Sequence, residues 1–216
     1  GAVEGLDEAA VTHRVDGGAN SIAWLVWHLT RVQDDHVADV AGVEQVWTAQ
    51  GWVTRFGLPF AADATGYGQS SDDVAGVRAD AALLLGYYDA VHEQTLQYLD
   101  GIGEADLDRI VDRRWDPPVT LGVRLVSVAD DDIQHAGQAA LARRDYVAAA
   151  GDLERVHRAV PSSHKVVVLL AEADFGAGRN SEGLELLRGV RLSSDDWNKV
   201  TTTMPVSLQS LFGPAS

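Results

Sequence analysis

His135 stands four residues after Asp131 and three after Asp132 in the segment LGVRLVSVADDDIQHAGQAALARR, which reads as a helix from about Leu121 to Arg144. Side chains four apart on a helix stack on one face, so Asp131 and His135 point the same way, one turn apart. A carboxylate and an imidazole in that relation are two ligands for one divalent metal. Asp132 offers a carboxylate under the other rotation of the helix; the reading adopted is Asp131 with His135. The bland alternative is a solvated acidic face with His135 as a hydrogen-bonded core residue. Position speaks against it. At about 100° per residue, Asp132 and His135 fall within the stripe of Leu121, Leu125, Val128 and Ala139, and Asp131 at its edge. Carboxylates in such a place are costly unless paired or metal-bound.

A third ligand must come from another helix. His28 and His36 both lie in SIAWLVWHLTRVQDDHVADVA, and eight residues of helix separate them by about 12 Å, so only one can share a metal with the other pair. Periodicity places His36 nearer the centre of the apolar stripe and His28 at its edge. On that ground alone His36 leads and His28 is the alternative. The chain has no cysteine, which excludes disulfides, zinc-thiolate sites and a protein thiol nucleophile, and leaves imidazole and carboxylate as the ligand inventory.

The elements that must position these groups follow from pattern. After the turn and capping signal GGANS, a long helix runs from Asn20 to about Ala41, with Trp24 and Trp27 making its first half apolar on most of its circumference. The stretch from Gly42 to Ser71 carries Gly, Pro and the aromatics Trp47, Trp52, Phe56, Phe60 and Tyr67. It reads as an ordered loop, partly helical, serving either as a pocket wall or lid or simply anchored to the core. Ser71, Asp72 and Asp73 cap a second helix to about Leu99, with Val74, Val77, Ala81, Leu84, Leu85, Tyr88 and Val91 on one stripe. A short helical piece around Asp106 to Val111 and the loop RRWDPPVT lead to Thr120, which caps the helix from Leu121. Beyond Asp145 the pattern is three short helices; Val166 to Leu170 also fits a short buried strand. The spacing of Tyr146, Ala150, Pro161, Ala173, Phe175 and Gly178 resembles one tetratricopeptide-type hairpin, short of the three units such arrays need.

Composition narrows the function classes. The chain has 216 residues and a formal net charge of -15, which repels nucleic acid and anionic membrane surfaces, so neither is expected as a partner. No apolar run reaches the roughly 18 residues of a membrane span, and the start lacks a basic region followed by an apolar one. The expectation is a cytoplasmic monomer or homodimer.

The segments GGANSIAWLVWHLTRVQDDHV and PPVTLGVRLVSVADDDIQHAGQAA resemble the two diagnostic stretches of DinB-like proteins of actinobacterial type, and the likeness covers roughly Val3 to Arg144. The resemblance implies an all-α protein: a four-helix bundle of up-down-down-up type over residues 1–144, followed by a helical C-terminal segment, 145–216, that could complete the bundle, because the helix usually found upstream of GLDE is short here. It implies that the first metal ligand is the His of the WHL segment, His28, and that Asp131 and His135 stand where the family carries a late pair of ligands. A carboxylate in place of one histidine broadens the choice of metal; zinc is favoured, with nickel, iron or manganese as alternatives. The superfamily includes mycothiol- and bacillithiol-dependent transferases, so the implied activity is transfer of a low-molecular-weight thiol to a small-molecule electrophile lying under the aromatic loop, with Trp47, Trp52, Phe56 or Tyr67 as walls. Metal-dependent hydrolysis, with Asp132 as base, and a non-catalytic interaction role are the competing readings. No general base or other catalytic residue is assigned; Arg31, Arg124 and Gln138 are polar neighbours of the ligands in sequence.

Overall fold

The computed structural model describes residues 3–14, 18–188, 190–201, 204 and 208. Among these the protein is helical apart from one two-stranded ribbon. It divides into two compact units, Gly1–Asp132 and Ile133–Ser216, and the division falls inside one continuous helix.

In the first unit a short helix, α1 (Glu8–Thr12), precedes the long α2 (Ile22–Ala41). Ser21 caps α2 by accepting from Trp24 N, and Gly42 ends it in the left-handed region that suits glycine. Helices α3 (Val46–Ala49) and α4 (Trp52–Phe56) lie in the aromatic segment, as its partly helical reading anticipates. The single helix expected from Ser71 to Leu99 is two, α5 (Ser71–Gly76) and α6 (Ala81–Asp100). The reason is local: Ser70 and Asp73 form a reciprocal capping box for α5, and Asp80 starts α6 afresh by accepting from Leu83 N. The piece expected at Asp106 to Val111 is a 3-10 turn at Glu104–Asp108 followed by strand β1 (Ile110–Asp112), which pairs antiparallel with β2 (Val119–Thr120). Thr120 Oγ1 accepts from Val123 N and opens α7 (Leu121–Ala142).

Helix α2 packs against α6, and almost every face of its first half is buried, from Ile22 to Arg31. The loop aromatics account for that. Trp47, Trp52 and Phe56 are buried and cluster around Tyr87 of α6, with ring centroids 5.1, 5.7 and 5.8 Å away. They anchor the segment to the core; Tyr67, by contrast, is 94% exposed.

A buried polar knot ties loop and helices together. Arg31 and Asp34, one turn apart on α2 and both with fully buried side chains, lie 3.5 Å from each other. Asp34 accepts from Val46 N, Trp47 N and the Tyr87 hydroxyl, each at 2.8 Å. Arg31 donates to Ala64 O, to the Tyr87 hydroxyl and to Gln45 Oε1, and lies 5.1 Å over the Trp47 ring. Each charge is thereby compensated, which alone makes burial of an ion pair tolerable.

In the second unit, α8 (Tyr146–Ala159), α9 (His164–Gly176), α10 (Asn180–Leu187) and α11 (Ser194–Thr201) follow the end of α7. Val166 to Leu170 is helical, not a strand, and α9 is the hub: it packs on α8, α10 and α11. Its two sides feed two apolar clusters, one with Leu153, Leu169 and Leu170, the other with Val168, Phe175, Leu187 and Val200. Beyond Thr201 only Met204 and Leu208 are described.

Replacing Asp34 by Asn leaves the Arg31 guanidinium buried without its counter-charge. The expected cost is about 3 kcal/mol of unfolding free energy, read from the midpoint and slope of urea denaturation. An unchanged midpoint would mean the knot contributes no stability.

Candidate metal centre

His28 is set on α2 by contacts on three sides. Its ring stacks on Trp24, four residues earlier, with centroids 4.5 Å apart and planes 19° from parallel. Trp24 is itself held by its indole N–H donating to Gln69 Oε1 at 2.7 Å. His28 Nδ1 lies 2.5 Å from Thr65 O. A carbonyl oxygen can only accept, so Nδ1 carries the proton and Nε2 carries the lone pair that a metal would take. The loop approaches this closely because residue 66 is glycine: its φ is +98°, and a Cβ there would sit 2.5 Å from His28 Nδ1.

Asp131 and His135 lie on α7, which runs unbroken from Leu121 to Ala142, so one helical turn fixes His135 relative to Asp131. His28, Asp131 and His135 each offer a ligand atom, and the three atoms lie within 4.8 Å of one another. The first two border a cavity of about 460 Å³ that is also lined by Val32, His36, Thr65 and Tyr67. His28 and His135 are buried and Asp131 is half-buried.

The periodicity argument that put His36 ahead of His28 fails here. Among the described residues His36 belongs to no such group; it lies beside Arg124, whose Nη1 is 2.7 Å from its Nδ1. The loop covers α2 on the side that periodicity marked as an edge, so the apolar stripe no longer identifies the inward face. Of the four proposed aromatic walls only Tyr67 lines the cavity. Thr65 and Gly66 went unnoticed in the sequence; the turn signal TGYG was their one trace.

Asp132, next to Asp131, is largely buried, and burial together with the Asp131 charge pushes its carboxyl up to about 8. It therefore holds its proton at neutral pH in the metal-free protein.

The profile of the DinB superfamily matches residues 1–139. The chain belongs to the DinB superfamily. A crystal structure of a conserved protein from Enterococcus faecalis is similar to it at 32% identity with a TM-score of 0.63, covering 66% of this chain and 85% of that one. No curated protein matches. The helical architecture of the DinB superfamily and the matched span include both α2 and α7 up to Ala139, hence all three residues of the cluster. Among the described residues no helix is long and apolar enough to cross a membrane.

Two imidazoles and a carboxylate are a donor set that zinc and other first-row divalent ions accept, and the His28 hydrogen bond to Thr65 O supplies the outer-shell support such a ligand ordinarily has. The residues fit a metal.

For the metal-free protein the Asp132 shift gives a signed expectation. A carboxyl whose folded pKa is raised stabilises fully below its unfolded value near 3.8 and loses that contribution as pH rises to about 8. The variant Asp132→Asn should gain stability over the wild type progressively between those limits, on the order of 2 kcal/mol by pH 8, in thermal melts run across the range. A difference independent of pH would contradict it.

Proposed function

We propose that the protein is a metal-dependent transferase in which His28, Asp131 and His135 hold a divalent ion, zinc first among the candidates, and a low-molecular-weight thiol is the cosubstrate. The observation that carries this reading is the convergence of the three ligand atoms, with His28 Nε2 unprotonated and facing away from Thr65. His28, Asp131 and His135 would hold the ion, which would supply acidification of a thiol or water bound to it.

The chain's own residues contribute positioning and exclusion of water. Trp24 and Thr65 O fix the His28 ring, and Gly66 lets the loop close on it. Tyr67, exposed at the cavity, offers an aromatic wall to an electrophile. Val32 gives the cavity an apolar side, against the polar side formed by Asp35, Ser127 and Asp130. A cavity of about 460 Å³ suits a small-molecule pair.

Hydrolysis by the same centre is the second reading. It differs from the first in needing no thiol, with Asp132, beside Asp131, as the base the sequence suggested.

Metal content by mass spectrometry of the purified protein is expected to be near one equivalent after zinc loading and to fall to background in His28→Ala and in His135→Ala. Gly66→Ala, which keeps all three ligands but crowds His28 Nδ1, should weaken zinc binding at least tenfold, since outer-shell support is worth 10- to 100-fold, about that range. Wild-type protein that binds no zinc would remove the transferase and hydrolase readings together.

A further inference from the structure

We infer that His36 is a substrate-positioning residue: held by Arg124 in one tautomer, it presents Nε2–H as a fixed, uncharged hydrogen-bond donor to an uncharged oxygen on the part of the ligand remote from the metal centre. This rests on the transferase reading, and deepens it by naming what the far end of the ligand must carry.

Arg124 Nη1 lies 2.7 Å from His36 Nδ1. A guanidinium has donors only and does not lose its charge, so Nδ1 must be the acceptor and the single ring proton sits on Nε2. Asp35 Oδ2 is 3.8 Å from Nδ1, too far to compete by hydrogen bonding. Arg124 in turn has little freedom. Its side chain is 13% exposed, and its Nη2 donates to Asp112 Oδ2 at 3.2 Å. Asp112, at the end of β1, is buried and also accepts from Arg114 N, Nε and Nη2. The ribbon thus fixes Asp112, Asp112 fixes Arg124, and Arg124 fixes the imidazole.

The ring is faced by Arg124 and Asp131 from α7, by Asp35 and Asp39 from its own helix, and shares a cavity wall with Arg114. Burial and the Arg124 charge hold its pKa below that of an ordinary histidine, although Asp35, Asp131 and Asp39 pull the other way. Among the described residues, Nε2 has no acceptor; Arg124 Nη1, 3.5 Å away, is itself a donor.

The place of this donor matters. His36 lines the cavity that holds His28 and Asp131, and also a second one of about 410 Å³ bordered by Asp39, Gln45, Arg114 and Arg124. With Asp35 it forms the junction of the two. A ligand whose thiol end lies near His28 and whose body follows α2 reaches His36 after about 12 Å of helix. The acceptor is an uncharged oxygen: Arg124 and Arg114 are both paired with Asp112, and the remaining charges, of Asp35, Asp39 and Asp131, disfavour a carboxylate at the same point.

The test uses the full chain loaded with cobalt, and three thiols as probes: 6-mercaptohexan-1-ol, hexane-1-thiol and 6-mercaptohexanoate, each titrated by the thiolate-to-cobalt absorption band. The alcohol should bind more tightly than the carboxylate. The ratio of alcohol to alkyl affinity should fall about fivefold in His36→Phe, the worth of one neutral hydrogen bond, and persist in His36→Gln, which keeps an N–H donor. Nitrogen-15 spectra of the histidine side chains should show the His36 proton on Nε2, and Arg124→Met should release that preference. A ratio unchanged in His36→Phe, a carboxylate that binds best, or a wild-type proton on Nδ1 overturns this inference alone while cobalt and thiol still bind. Cobalt that binds but gives no thiolate band with any probe overturns the thiol reading and this inference with it.

Discussion

The buried pair of Arg31 and Asp34 is the constraint on which the first unit depends. Both side chains are removed from water on a single turn of α2, and neither charge could stay there without the partners the loop supplies: the amides of Val46 and Trp47, the carbonyl of Ala64 and the amide of Gln45. Dependence runs both ways. The segment from 43 to 70 contributes only two short helices of its own, too short to persist unaided, and it holds its course because its backbone groups are the ligands of that ion pair. Tyr87 joins α6 to the same knot, donating to Asp34 and accepting from Arg31, and burial raises its phenol pKa well above the ordinary value so that it stays a donor.

From that knot the geometry of the candidate centre follows in sequence. Ala64 is tethered to Arg31, and the very next residue, Thr65, offers the carbonyl that orients His28, three residues before Arg31 on the same helix. The histidine tautomer is therefore set by the same packing that stabilises the core. Gly66 is a position where the loop's approach requires the absence of a side chain, since its φ of +98° and its contact with the imidazole both exclude a Cβ.

The long helices were legible because their signals are local. Ser21, Gly42 and Thr120 cap or end helices through bonds a few residues away, and periodicity marked the buried positions of α7 down to His135. The break between α5 and α6 was missed because the apolar stripe continues across it while Asp80 starts a new helix, a contest between patterns that periodicity alone does not register. The placing of His28 was beyond the residue pattern for a different reason. A stripe identifies the inward face only when one side of a helix meets solvent, and the first half of α2 is buried on almost every face, with the segment after it reaching His28 through Thr65. The resemblance to DinB-like proteins pointed to His28; the pairing of Asp112, Arg114, Arg124 and His36, which spans elements distant in sequence, left no local trace.

Three consecutive aspartates beside a buried histidine would be an unusual choice for a chain that already carries a net charge of -15 if stability were the only demand. Asp132 shows how the strain is absorbed: it keeps its proton, because burial and the neighbouring Asp131 charge both oppose ionisation. A cation held by Asp131 would cancel the second of those causes and leave only the first. The protonation of Asp132 is thus coupled to the occupancy of the centre one residue away, and by linkage the affinity of the centre for a cation must rise with pH through the range in which Asp132 ionises. Arg124 lies too far along α7 to offer the same relief to Asp132, being two turns earlier and already committed to Asp112 and His36. Asp131 and Arg124 of α7 therefore border different cavities, and His36 lines both.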